Sequence, residues 1–492
     1  MKLQVVTVFS AILAVVSAHD VRIHRQHAKV ARQDTKVLAA SGSSSAASSA
    51  ASSATVSASG ATSQPTAATS PTVTSAGIPA GVSLPPQPTG DISIPALSSI
   101  TSGMPTAATL PVTATYTPGA LPSYTGAVPL PSTSFVYVAS EWPTADHPAP
   151  TDSPQVKEWL KEIEGVNIPD IPVTVDGACA QTPANVAKSA QYGWWTCSGT
   201  TRSTDIVSCP TKYDWGTTFD DGPAPYSTPT LLKFLKEKDI KSTFFVVGSR
   251  AVERPQVLIE EYMDGHEIGC HTWAHSPMTS LTNEQIVAEL GWSREAIRRV
   301  LGVTCRVWRP PYGDVDDRVR AIATAMGLTT SIWTATPSGG KFDTNDWQVA
   351  GGNENAIQQY LNFQSILGNA SLLDTGFIVL QHDLFEITVD LAVGYTINAA
   401  LTHNPPFTLK PVGECNGIAM RDMYMETTTN QTYLDQRKAA QAGQSSNSTS
   451  SNSTTGSGNT STSGKSAGFA VSALTSLPVL GAFGAGALAL LI

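Results

Sequence analysis

The first residues that invite chemistry are two histidines four positions apart, in His271-Thr-Trp-Ala-His275. On a helix that spacing places both imidazoles on one face, where they suit two nitrogen ligands to a single metal ion. A second element, Thr218-Phe-Asp-Asp-Gly-Pro223, sets Asp220 beside Asp221 at the end of a strand-like run. A cation relieves the repulsion between neighbouring carboxylates, with one binding the ion and the other poised over a bound water. One Asp and two His make a mixed ligand set with open positions for water and substrate. That set suits Zn2+, with Co2+ or Mn2+ as alternatives. The third element is Arg309-Pro-Pro-Tyr-Gly313. Its prolines stiffen the backbone and its glycine permits an unusual turn, so the Tyr312 amide can be aimed at a site while Arg309 pairs with a carboxylate. Taken singly these elements are ordinary: HxxxH arises by chance, and Asp-Gly-Pro is common turn chemistry. Asp343-Thr-Asn-Asp-Trp347 and Leu380-Gln-His382 are weaker still, an acidic turn and a lone histidine after an apolar run.

These residues all fall within 151–426, where Trp, Phe, Tyr, charges and all six cysteines are found. The length fits one domain. Short apolar runs alternate there with helical patterns. Thr217–Phe219 reads as a strand into a turn, Thr228–Lys238 as a helix, and Ser242–Val247 as a strand. Leu281–Leu301 reads as a long amphipathic helix beginning near Thr282-Asn-Glu-Gln285, Asp316–Met326 as a shorter helix, and Gly376–Leu380 as a buried strand. Such alternation predicts an α/β fold with a parallel sheet or barrel. Chemistry in these folds gathers at the carboxyl ends of the strands, and each motif above follows a strand-like run.

The flanks have another character. Residues 1–18 carry a Lys, an apolar run and a Val-Ser-Ala end, the pattern of a secretory signal peptide. Residues 19–150 are rich in Ser, Thr, Ala and Pro, most strongly from Ala39 to Ser134, which predicts a disordered, O-glycosylated stalk. Residues 427–464 form a Ser/Thr/Asn-rich spacer, and 465–492 an apolar tail ending with the chain. Together these read as a glycosylphosphatidylinositol (GPI) signal with attachment within Gly456–Asn459, the tail being removed. Sequons at Asn369, Asn430, Asn447, Asn452 and Asn459 agree with secretion. Six cysteines in a secreted chain favour disulfides; Cys179 with Cys415 is the expected pair, tying the ends of the central domain. A net charge of −9 argues against a nucleic-acid partner.

TFDDGP, HTWAH, RPPYG, DTNDW and LQH, in that order, resemble the polysaccharide deacetylases of the NodB-homology group, carbohydrate esterase family 4, over roughly 213–411. The resemblance implies a distorted (β/α) barrel and a metal-dependent hydrolase. It makes Asp220 the general base, and Asp221, His271 and His275 the metal ligands. Arg309 would orient Asp220, and the Tyr312 N–H would help bind the oxyanion. His382 would be the general acid, tuned by Asp346 rather than Asp343, with Trp347 and Leu380 walling the acetyl pocket. Cys270 stands where relatives often carry Asn, and a disulfide there would stiffen the ligand helix. The anchored, Ser/Thr-flanked architecture looks like that of fungal chitin deacetylases. It implies chitin as substrate, Zn2+ or Co2+ as cofactor, a monomer, and a place at the outer face of the plasma membrane or in the wall. Another acetylated glycan, or a vestigial site in a glycan-binding wall protein, are the alternatives.

Overall fold

The computed structural model describes residues 83–102, 112, 115–336, 340–431 and 433–435. The signal peptide, the GPI tail with its attachment window, the sequons at Asn447, Asn452 and Asn459, and most of the Ser/Thr-rich stretch lie outside the described residues.

Seven parallel strands form the centre: β1 Asp214–Asp220, β2 Thr243–Val246, β3 Glu267–Cys270, β4 Val307–Trp308, β5 Thr329–Thr330, β6 Phe377–Val379 and β7 Thr408–Lys410. Their order is β5-β4-β3-β2-β1-β6, with β7 also on β1. In register, Thr218 faces Thr243, Phe244 faces Ile268, Cys270 faces Trp308, and Trp215 faces Phe377. Beyond β5 the chain curls back to the opposite edge. The Thr334 N–H donates to the Ile378 carbonyl at 3.0 Å, and Leu380 N–H to Phe342 at 2.8 Å. The sheet therefore closes on itself as a short-stranded, distorted (β/α) barrel. Strands β1, β2, β3, β4 and β6 are buried throughout, as parallel strands covered on both sides must be.

The helices packed around the strands include α1 Pro154–Leu160, α2 Ser227–Glu237, α3 Gly248–Glu253, α4 Pro255–Met263, α5 Asn283–Leu301, α6 Asp317–Ala325, α7 Asp346–Ala350 and α8 Ala356–Leu372. Helix α5 starts where the sequence predicts: Thr282 and Gln285 form a reciprocal capping box, and Gly302 in the left-handed region ends the helix. Trp292 on α5 meets Trp142, Trp159 and Trp273, which pins the segment preceding the barrel to its surface.

Three expectations are corrected. The bridge joining the ends of the barrel is Cys209–Cys415, 206 residues apart, while Cys179 pairs with Cys197 and Cys270 with Cys305. Cys209 lies just ahead of β1, against Gly216 and beside Cys415; Cys179 lies in the turn Cys179–Gln181, well ahead of β1, with its partner 18 residues on. Second, the stretch assigned to a disordered stalk becomes ordered well before 150. Ile94, Leu97, Ile100, Leu130 and Trp142 are buried in the main core. Its sparse apolar residues need no core of their own because they dock on one that exists. Third, the ordered domain runs past 426: Tyr433 is buried, with the Arg306 guanidinium 3.7 Å from its ring centre.

Candidate active site

Strand β1 ends in Asp220, and its neighbours there bring the rest. Asp220 bridges His382 in parallel register, its N–H donating to the Gln381 carbonyl at 2.9 Å and its carbonyl accepting from the Asp383 N–H at 3.1 Å. Asp221 then turns with φ 82° into Gly222. A side chain at Gly222 would place a Cβ 2.2 Å from Asp383 Oδ2, so only glycine fits.

His271 follows β3 directly, but the segment to His275 is a loop and not a turn of helix. Thr272 (φ 63°) and His275 (φ 58°) adopt left-handed backbone conformations, which cost on the order of 1–3 kcal/mol each and persist only where the surroundings enforce them. The helical placement of the two histidines, and of the stiffening disulfide, is corrected accordingly; Cys270–Cys305 braces the strand end that delivers His271.

The loop nevertheless brings both imidazoles to Asp221. Its Oδ1 lies 3.0 Å from His275 Nε2 and 3.3 Å from His271 Nε2. The three ligand atoms lie within 4.8 Å of one another, and no other such group of three metal-ligating side chains occurs among the described residues. His271 Nδ1 sits 2.7 Å from the Arg309 carbonyl. That contact fixes the proton on Nδ1 and turns the Nε2 lone pair inward, as for metal-bound imidazoles. Asp221 Oδ1 is buried and accepts no well-aligned hydrogen bond. Burial pushes the Asp221 carboxyl up, but His275 and His271 outweigh it and hold it well below the ordinary carboxylate range. Burial pushes His275 down against the pull of Asp221, favouring the neutral imidazole a ligand needs. An unsatisfied buried carboxylate oxygen facing two inward nitrogens fits a divalent cation.

Arg309, fully buried, donates through Nη1 to Asp220 Oδ1 (2.8 Å) and Thr218 Oγ1 (2.7 Å), and its guanidinium lies 4.3 Å from the Phe245 ring centre. Asp220 Oδ2 is left 3.9 Å from His271 Nε2, at the edge of the ligand trio. Tyr312, between Pro311 and Gly313, has φ 62° and sets its ring edge-on to His275, centroids 4.6 Å apart. Across the site, His382 Nδ1 is 2.7 Å from Asp346 Oδ1, and the His382 N–H donates to Asp346 Oδ2 at 2.9 Å. Burial alone would lower this imidazole; Asp346, then Asp221 and Asp220, overcome it and raise His382 to about 10. Asp343 does not reach the imidazole in this way, its carboxylate accepting instead from the Asn345 N–H (2.8 Å) and the Trp347 indole N–H (3.4 Å). Trp347 is half-buried in α7 and Leu380 buried at the end of β6, so both stand beside the Asp346–His382 pair.

Two contributors escape a sequence reading. Asp383 accepts from the Gly222 N–H at 3.0 Å and from Thr228 Oγ1, fastening the Asp221 turn; burial pushes it up to about 7. Its one signal is its place directly after His382. Arg250 on α3 donates to the Asp221 carbonyl at 2.7 Å, and nothing in its sequence neighbourhood marks it.

The model of the polysaccharide deacetylase family matches residues 208–331. Chitin deacetylase 1 of Cryptococcus neoformans var. grubii is 48% identical over 358 residues, 72% of this chain and 74% of that protein. The chain belongs to the polysaccharide deacetylase family. The chitin deacetylase of Amylomyces rouxii is 36% identical over 274 residues, spanning 53% of this chain and 63% of that one. Among solved structures, the chitin deacetylase of Colletotrichum lindemuthianum is similar at 27% identity and a TM-score of 0.39, over 46% of this chain and 97% of that one. Within the family match lie Asp220, Asp221, His271, His275, Arg309 and Tyr312; Asp346, Trp347, Leu380 and His382 come from beyond it and reach the site through the barrel closure.

Proposed function

We propose that this protein hydrolyses the N-acetyl groups of chitin, giving glucosamine units and acetate. The observation that carries the reading is the inward-facing Asp221–His271–His275 trio, flanked by the Arg309-held Asp220 and faced by the Asp346-held His382. Its likeness to a chitin deacetylase over most of both chains supports chitin as the substrate.

Asp221, His271 and His275 would hold a divalent cation, Zn2+ fitting the N/N/O donors best and Co2+ next. When bound, such an ion polarises the acetyl carbonyl and lowers the pKa of a water toward ~7. Asp220 serves as the base. Arg309 occupies its Oδ1 and leaves Oδ2 toward the site, where it takes the proton of the attacking water. The Tyr312 N–H, on a turn stiffened by Pro310 and Pro311, is the donor assigned to the developing oxyanion, a contact worth about 3–4 kcal/mol in comparable sites. His382, with Nδ1 engaged by Asp346, delivers its proton from Nε2 to the departing amine, which leaves poorly unprotonated. Trp347 and Leu380 bound the space for the acetyl methyl. The protein acts as a monomer, secreted and carried on a GPI anchor at the cell surface or in the wall; the secretion and the anchor are supported by the character of both chain ends and the sequons.

The test is acetate release from chitin oligomers by the protein expressed from the full chain, stripped with chelator and then given Zn2+ or Co2+. Release restored by metal is expected. Release from acetylated xylan but not from chitin would move the substrate, and none from any glycan would favour a binding role. Release of cell-surface protein by a phosphatidylinositol-specific phospholipase checks the anchor.

A further inference from the structure

The segment Trp142–Ala149 precedes the residues matched by the family model, yet it is wired to the loop that carries both histidines. Trp142 stacks on Trp273 of that loop, centroids 5.9 Å apart and planes 6° from parallel. The Trp273 indole N–H donates to the Thr144 carbonyl at 3.3 Å. Asp146 pairs with Arg250 at 3.3 Å, and Arg250 in turn donates to the Asp221 carbonyl. The Ala149 N–H donates to Glu289 Oε1 at 3.0 Å.

Glu289 is the hub. It lies on α5 at 1% exposure, and its second oxygen accepts from the Trp273 N–H (3.1 Å) and the Ala274 N–H (2.9 Å). Those peptide groups sit between the two histidines. On the other side, the carbonyls of Thr272 and Trp273 accept from the Gly248 and Ser249 N–H groups at 2.9 and 3.1 Å. The His275 N–H closes on Thr272 Oγ1 at 3.0 Å. A loop with two left-handed non-glycine residues is thus gripped from both faces, and one carboxylate supplies the whole of one grip. Buried charge is costly unless its hydrogen bonds are met, and a Leu or Ala at 289 would fill a core helix at no such cost.

We propose that Glu289 is a positioning residue of the metal site, joining the strap Trp142–Ala149 to the 271–275 loop and holding its imidazoles at the spacing a divalent ion requires. The inference rests on the metal-site reading above. Glu289→Gln preserves shape but cannot accept on both sides, because its NH2 must face one set of N–H donors.

The experiment measures Zn2+ affinity of the full-chain protein by competition with a chromogenic chelator, alongside kcat at saturating Zn2+. Glu289→Gln is expected to weaken Zn2+ binding about 10–100-fold, the range seen when partners of metal ligands are altered, with most of kcat recovered at saturating metal. Trp142→Ala, which lies outside α5 and removes the stack on Trp273, is expected to weaken it toward the lower end of that range, and it carries the test if Glu289→Gln does not fold. Ile297→Ala, two turns along the same helix in the core, is expected to lower Tm and leave Zn2+ affinity unchanged. Affinity of folded Glu289→Gln within about threefold of the unsubstituted protein, against that expected range, would overturn the inference. So would an Ile297→Ala loss as large as that of Glu289→Gln, or, if Trp142→Ala carries the test, its unchanged affinity. Failure of the unsubstituted protein to bind Zn2+ sinks the metal-site reading instead.

Discussion

Replacing Asp346 by asparagine keeps the shape of the pocket and removes the charge that holds His382 protonated. His382 stands at about 10 against an ordinary 6.5, despite burial that pulls the other way. At 1.36 kcal/mol per pH unit, the surrounding carboxylates favour the imidazolium by about 5 kcal/mol beyond the cost of burial. Asp346, at 2.7 Å, is the largest of them; a cation on Asp221 cancels part of the remainder, so the loaded enzyme titrates below 10. The acid works protonated, so activity is present below this pKa and is lost as pH rises through it. Without Asp346, burial prevails, and the alkaline limb of kcat/KM should move down by about two pH units or more, so that the loss grows with pH, reaches about 100-fold only above the unsubstituted enzyme's own limb, and vanishes toward pH 6. The assay is acetate release across pH 5–10 at saturating metal, with bound metal quantified. An unmoved alkaline limb with a uniformly lower rate would refute the assignment of His382 as the acid under Asp346.

Asp220→Asn should keep stoichiometric metal, since Asp220 lies outside the ligand trio, and lose about 10²–10⁴-fold in kcat, the worth of a general base; metal analysis with initial rates separates the two. Arg309→Met leaves the Asp220 carboxylate buried without its partner and should cost about 3–5 kcal/mol of stability, read from urea unfolding with metal present. His266 is buried, with Nδ1 accepting from the Ser242 N–H, and burial followed by Lys241 and Lys236 lowers it from 6.5 to about 3. Because its folded-state pKa is depressed, its contribution is complete above pH 6.5 and lost at about 1.4 kcal/mol per pH unit as pH falls toward 3. His266→Asn should therefore lose about 2 kcal/mol less than the unsubstituted protein between pH 6.5 and 5; equal losses would contradict it.

How much of this was legible beforehand follows from where each residue sits. Asp220, His271, Arg309 and His382 each stand at or just past the carboxyl end of a strand, so a strand-like run followed by a polar residue marks them, and parallel pairing does the rest. Helices α2, α5 and α6 were readable for a like reason, their periodicity and caps being local. What i, i+4 spacing cannot distinguish is a helical turn from a loop bent by two left-handed residues. The cues at 271–275 were indirect: a strand directly before, Thr and Trp within, and Pro277 just after.

Contacts between distant segments stayed hidden. Nothing near Glu289 marks it, because an acid at that position on an amphipathic helix reads as solvent-facing; it is the arrival of the 271–275 loop and of Ala149 that buries it. The cysteine pairing failed in the same way. Tying Cys415 to the start of the domain was sound, but the start that matters is that of β1, and β1 is preceded by Cys209 and not by Cys179. The segment 83–150 was misread because composition measures whether a stretch can form a core, whereas Ile94, Leu97, Leu130 and Trp142 show a stretch that joins one. That distinction bears on function: the strap which composition assigns to a stalk is the one that stacks on Trp273 and reaches Glu289. A catalytic fragment trimmed to the family match at 208 would keep both histidines and Glu289 but lose the strap's contacts to Trp273, Arg250 and Glu289.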